Sequence, residues 1–297
     1  MKTDHDPERN LSTETNPGRA SAALHDTHGA SMAKAIDLVA DVGESFGAYE
    51  IGDDDALLGI LTSANVACGF HAGDPQVMQR TITACLSHGV SIGAHPGFAD
   101  LRGFGRRPIA MSTAEVRTDT LYQLGALQAL TQAQGSSISH VTPHGSLGNL
   151  SVSDPAYARG VLEAVQQFDP SLPVVTQEGE LARLALQEGV PVAITAMADR
   201  AYNADGSLVS RSEPGAVIND EEHIVDRVLR MVSTGTVEAA DGSIVELDVA
   251  TVLLHGDNPS ALALARRVRA ALVEDGIRLA PLSTVLGLSQ LDELATP

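Results

Sequence analysis

From residue 34 onward the chain repeats one pattern: a short apolar run, a turn containing Gly, His or Asp, and then a segment with helical spacing. The apolar runs lie at 36–42, 63–68, 90–94, 138–141, 174–176, 192–196 and 251–254, with a weaker one at 277–280. Runs this short, and without strict alternation, predict parallel strands buried on both faces beneath helices. Helix starts are marked between them. Asp74-Pro75, Asp154-Pro155 and Asn258-Pro259 each pair a capping side chain with proline at the first helical position, where its missing N–H costs nothing. Ser112 and Glu115 form a capping box ahead of a helix that runs to about Gln134, and Gly89, Gly135, Gly189 and Gly276 stand at helix ends. Seven or eight such β-α units without a compositional break predict an α/β fold, a distorted TIM-like β/α barrel. An open doubly wound sheet is the alternative. Against it, no GxGxxG follows the first run, and polar residues decorate nearly every strand end.

Two stretches interrupt the rhythm. Residues 201–219 are long for a βα connection and rich in turn formers, as lids and binding loops are. Residues 237–247 read as a hairpin around Asp241-Gly242. Residues 1–33 are polar and lack any hydrophobic period, which predicts a disordered N-terminal extension and leaves 34–297 as a single barrel domain. Aromatic residues make up only 3% and Trp is absent, so the core must be assembled from Ala, Val, Leu and Ile. The formal net charge of −19 repels a phosphate backbone and argues against a nucleic-acid partner. Cys68 and Cys85 have no CxxC companion, no stretch reaches the roughly 20 apolar residues of a membrane span, and the N-terminus lacks a secretory apolar segment. The expected location is the cytoplasm.

The candidate chemistry gathers at one end of the strands. Asp41 and Glu44 follow the first run, His71 and Asp74 the second, His95 the third and His144 the fourth; Asp199 and Arg200 follow the sixth, and His255, Asp257 and Asn258 the seventh. In a β/α barrel these ends converge on one mouth, so the imidazoles and carboxylates are expected to share a site suited to general acid/base work. The same residue types suit a divalent metal ion, although no tight motif such as HExxH fixes the ligands. Arg106 and Arg107, on the glycine-flanked segment Gly103-Phe104-Gly105, have the chemistry of a clamp for a carboxylate or phosphate; a surface salt bridge is the competing reading. The chain has no P-loop for ATP and no GxSxG nucleophile elbow.

Several of these segments, in this order, resemble the LamB/YcsF family. They include residues 37–44, the stretch Ser63-Ala64-Asn65-Val66-Ala67-Cys68-Gly69-Phe70-His71-Ala72-Gly73-Asp74, residues 92–97 with 103–107, 120–127, 198–200 with 206–211, and Leu254-His255-Gly256-Asp257. The resemblance covers about 34–280. It implies a barrel similar to the glycoside hydrolase/deacetylase barrels. It also implies hydrolysis of the lactam 5-oxo-L-proline to L-glutamate coupled to ATP, with the nucleotide handled through 5-oxoprolinase subunits B and C. On that reading Asp41, Glu44, His71, Asp74, His95, His144, Asp199 and His255 are catalytic candidates, and Arg106, Arg107, Asn149, Arg200 and Asp257 are substrate-binding candidates. The chain departs from the family pattern at Val39, at Thr142 and Gly148 (where the family carries Lys and Tyr) and at Ala201. A divergent paralogue, either a binding or regulatory barrel or a hydrolase of another lactam or amide, is therefore the alternative reading.

Overall fold

Seven of the apolar runs close on themselves. The computed structural model describes residues 34–254 and 261–288. Its strands are β1 (Ala35–Val42), β2 (Ser63–Ala67), β3 (Ser91–His95), β4 (His140–Val141), β5 (Val174–Thr176), β6 (Val192–Met197), β7 (Thr236–Glu238), β8 (Ile244–Glu246), β9 (Val249–Leu254) and β10 (Arg278–Leu279). The order β1-β2-β3-β4-β5-β6-β9 is parallel throughout, and β9 pairs back onto β1 to complete a seven-stranded barrel. The eighth run becomes β10, which reaches only Ala35 and Ile36 at the start of β1. Further along β1 the same edge is taken by β9, whose Thr251–Leu254 pair with Asp37–Ala40. An eighth stave therefore has no free edge to enter.

The helices that wrap the barrel begin where local chemistry says they should. Asp74 caps the helix Pro75–His88 by accepting from the N–H groups of Gln76 and Val77 at 2.8 and 2.9 Å. Ser112 and Glu115 complete the capping box of the helix Thr113–Ala133, and Asp154 caps the helix Pro155–Phe168. Each such cap is worth about 1 kcal/mol to its helix. The Asn258-Pro259 start lies outside the described residues. The loop at 201–219 is tied down by isolated bridges between Arg200 and Val217 and between Tyr202 and Leu208. The expected hairpin is β7 paired antiparallel with β8.

The two faces of the barrel strands differ in character. Ile36, Leu38, Ala40 and Val42 of β1, Ala64 and Val66 of β2, and Ile92 and Ala94 of β3 point outward into the main hydrophobic core beneath the helices. Burying side chains of this kind contributes about 1.5–3 kcal/mol each for the larger ones. The alternate residues face the lumen and are largely polar: Asp37 and Asp41, Ser63 and Asn65, His140 and Thr142 bond to one another across the strands. The strands are buried on both faces as expected; the outer burial is apolar, and the inner face mixes these polar groups with Val39, Val175, Ala193 and Leu253.

Candidate functional site

The side chains converge at the C-terminal end of the barrel because each strand ends there with a polar residue on its inner face or in the turn beyond. The ligating atoms of Glu44, His71, His95 and His144, four residues from four strand ends, all lie within 4.8 Å of one another, and all four residues are buried. Asp41, at the end of β1, joins them with Oδ1 3.3 Å from Nε2 of His95. His95 and His144 themselves meet at 2.9 Å, Nε2 to Nδ1.

Backbone carbonyls fix how these rings are turned. Nδ1 of His95 lies 2.6 Å from the carbonyl of Thr142, and Nε2 of His144 lies 2.8 Å from that of Phe104. A carbonyl only accepts, so each of those nitrogens carries the hydrogen and donates it. In singly protonated rings the two nitrogens left over are lone pairs, and they face each other. Glu44 Oε1 stands 3.7 Å from Nδ1 of His144. Lone pairs and carboxylate oxygens aimed at one point require a cation between them: a shared proton or a metal ion. Two imidazoles with carboxylates form a donor set that suits zinc and similar divalent ions.

His71 sits behind this pair. Its ring stacks on His144 at a centroid distance of 3.7 Å, its Nε2 lies 3.2 Å from Glu44 Oε1, and its buried Nδ1 has no hydrogen-bond partner among the described residues. Burial, reinforced by the neighbouring imidazoles, pushes its pKa well below the ordinary histidine value, so it donates to Glu44 as a neutral ring. His144 is likewise pushed down by burial, to about 3.

The segment 103–107 folds over the histidines at close range. Phe104 is the one described non-glycine residue with positive φ (+54°), and the carbonyl that meets His144 is its own. A bulky residue held in the left-handed region is strained, and such strain collects at functional sites. Gly105, at φ +62°, leaves only 2.8 Å between its absent Cβ and both His144 and His71, so no other residue fits there. The two arginines of this segment part company. Arg106 lines the cavity and lies over the Phe104 ring at 5.0 Å. Arg107 pairs with Asp100 through Nε and Nη2, and this pairing holds the Asp100 carboxyl down at about 2.

The cavity in front of the cluster measures about 120 Å³, and its walls include Asp41, His95, His144, Arg106, Asn149 and Arg200. Arg200 is also a strut: its guanidinium donates to the carbonyls of Ala216 and Val209, fastening the 201–219 loop. Arg211, on that loop, adds a third guanidinium to the same walls. Among the described lining residues Asp41 is the one acid, set against the three guanidinium groups.

Besides Arg107, two expected site residues stand elsewhere. Asp74 spends its carboxylate on helix capping and on the N–H of Gly47, 2.8 Å away. Asp199 does not line the cavity; its charge is felt by Arg200, Tyr202 and Arg227. His255 and Asp257 lie outside the described residues. Sequence reasoning passed over Asn65, His140 and Arg211. Asn65 lies in the middle of β2 and His140 opens β4, both short of the strand ends that mark the site, and counting by twos back from Thr142 puts His140 on the inner face.

Comparison with known proteins agrees over nearly this whole length. The sequence model of the LamB/YcsF family matches residues 36–287. The chain is 47% identical over 253 residues to the A subunit of 5-oxoprolinase from Pyrococcus abyssi, covering 85% of this chain and 99% of that protein. It is 50% identical over 245 residues to the corresponding 5-oxoprolinase chain of Mycolicibacterium paratuberculosis, covering 82% and 97%. The crystal structure of the lactam utilization protein from Thermus thermophilus superposes with a TM-score of 0.79 at 44% identity, covering 82% of this chain and 98% of that one.

Proposed function

Because this chain belongs to the LamB/YcsF family, we propose that it is the lactam-opening subunit of an ATP-dependent 5-oxoprolinase, which hydrolyses 5-oxo-L-proline to L-glutamate together with B and C partner subunits. The observation that carries the proposal is the meeting of His95, His144, Glu44 and Asp41 behind a small cavity walled by guanidinium groups. A lactam with a free carboxylate needs both features: a cation to hold the carboxylate and an acid/base pair at the ring carbonyl.

In this reading Arg106, with Arg200 and Arg211, holds the substrate carboxylate, and Asn149 lines the wall beside it. The His95–His144 pair takes a proton from the attacking water. An oxygen–carbon bond forms, the ring C–N bond breaks, and the proton passes to the leaving nitrogen, which becomes the amine of glutamate. Asp41 and Glu44 stabilise the charge that appears on the imidazoles, and His71, neutral and stacked on His144, keeps water from the rear of the site. Glu44, His95 and His144 with Asp41 are the residues that would hold a divalent ion, which when bound would polarise the carbonyl or the water. The chain carries no recognisable ATP motif. An unstrained five-membered lactam resists hydrolysis, so the nucleotide chemistry is assigned to the partners.

The test is reconstitution of this chain with the B and C subunits, 5-oxoproline and ATP. Stoichiometric glutamate is expected; an assembled complex with no turnover overturns the proposal. One observation favours a second reading, a hydrolase of another lactam or amide. Thr142 and Gly148, which depart from the family pattern, both line the cavity wall. Faster turnover of a bulkier lactam than of 5-oxoproline would select it.

A further inference from the structure

The register of the barrel puts Asp41 of β1, Asn65 of β2, Gly93 of β3 and His140 of β4 in one layer, each paired with the next. Gly93 is the gap in that layer. A Cβ on it would lie 2.0 Å from Nε2 of His140, so the imidazole fills the place of the missing side chain and reaches across β3 to Asn65. We infer that Ser139, His140 and Asn65 form a one-way hydrogen-bond relay that holds Asp41 in position against His95, making His140 and Asn65 positioning residues of the site. This inference rests on the reading of Asp41 and His95 as working groups.

The direction of the relay follows from its acid end. An ionised carboxylate only accepts, so Asn65 must turn its amide nitrogen toward Asp41, where Nδ2 donates to Oδ1 at 2.9 Å. Oδ1 of Asn65 then faces the other way and accepts from the hydroxyl of Thr142 at 3.0 Å and from Nε2–H of His140 at 2.9 Å. That leaves Nδ1 of His140 bare, and the hydroxyl of Ser139, 2.9 Å away, supplies its hydrogen. The same hydroxyl lies 2.9 Å from the carbonyl of Ile92. Were it to donate there instead, its oxygen and a bare Nδ1 would face each other as two acceptors at 2.9 Å, unless Nδ1 also carried a hydrogen and the ring were an imidazolium. Burial excludes this, because it holds His140 at about 3, neutral across the working range. Oδ1 of Asp41, fixed from one side by Asn65, faces Nε2 of His95 at 3.3 Å on the other. Thr142 serves both ends: its hydroxyl enters the relay and its carbonyl orients His95. Without the relay the Asp41 carboxylate is free to rotate, and misplacement of that kind by about 1 Å costs on the order of a hundredfold in rate.

The experiment uses the full chain in two arms. Long-range proton–nitrogen spectra of the chain with ¹⁵N-labelled histidine, assigned by the signal lost in His140→Gln, are expected to show His140 protonated at Nε2 and bare at Nδ1 from pH 5 to 8. A ring protonated at Nδ1, or doubly protonated, overturns the relay; this arm needs no turnover and stands or falls apart from the lactam reading. In the reconstituted enzyme, His140→Leu is expected to lower kcat about 10–100-fold with KM within about twofold. His140→Gln, whose amide both donates and accepts, recovers kcat to within about threefold of the unchanged chain. Equal loss in both variants at matched Tm, or no loss in His140→Leu, overturns the proposal.

Discussion

Asp37 and Asp41 are the same residue type on the same face of the same strand, four positions apart, yet they do different work. Asp37 sits low in the barrel, where the hydroxyls of Thr62, Ser63 and Thr251 all donate to it at 2.7 Å. Burial raises its pKa against those three hydrogen bonds, and among the described residues no imidazole is a hydrogen-bond partner. Asp41 ends the strand at the mouth, lines the cavity and faces His95. A carboxylate enclosed by hydroxyls whose hydrogens all point at it has nothing left to exchange. A carboxylate that shares its oxygen with an imidazole of fixed orientation can stabilise a charge that comes and goes. Position along the barrel axis therefore separates support from chemistry.

The sharpest way to break that comparison is to change both ends. Asp41→Asn or His144→Ala should lower turnover of 5-oxoproline by about 10²–10⁴-fold, with a melting temperature close to that of the unchanged chain. A modest rate effect would remove Asp41 from the chemistry. Asp37→Ala should do the reverse. It strips the acceptor from three hydroxyls and should cost about 3 kcal/mol in urea unfolding, while the folded fraction keeps its kcat.

Acid stability sharpens the same contrast. His140 is held at about 3 in the folded chain, against an ordinary histidine value of 6.5 when unfolded. Between those values the unfolded chain binds the extra proton. The stabilising contribution of this neutral ring is therefore complete above pH 6.5 and is lost as pH falls toward 3, at up to about 1.4 kcal/mol per pH unit. In His140→Gln, urea midpoints measured from pH 7 down to pH 4 should fall less steeply by that amount. The smallest effects separate the two neighbouring arginines. Arg106→Ala should raise KM about tenfold, the loss of one charge-assisted contact. Arg107→Ala should leave KM unchanged and show only as lost stability above about pH 4, because Asp100, held at about 2 by Arg107, stabilises the fold above its ordinary value and ceases to as pH falls toward 2.

Much of this was legible without coordinates. The seven staves, the hairpin, the capped helix starts and the polar strand ends each follow from local chemistry: an Asp before a Pro, an Asp-Gly turn, an apolar run too short for a helix. The meeting of Asp41, Glu44, His71, His95 and His144 followed from fold class, since parallel strands in a barrel deliver their ends to one rim. Other positions resisted. Asp74 reads equally well as a cap and as a site residue, and only its bonds to Gly47, Gln76 and Val77 decide the matter. Arg106 and Arg107 are adjacent and chemically alike, and what separates them is the placement of Asp100. Asn65 and His140 lie 75 residues apart, and nothing local relates them.

What the sequence determined by itself is therefore the set of elements and the end at which polar groups accumulate, because both depend on contacts within a turn or two of chain. Strand register belongs to the tertiary structure alone. The pairing of Asp41 with Asn65, of Asn65 with Gly93 and of Gly93 with His140 decides which groups share a layer. A shift of one residue on any strand would turn those side chains from the lumen to the apolar core. Register is set by the packing of all the strands and helices at once, and no single stretch of chain contains it.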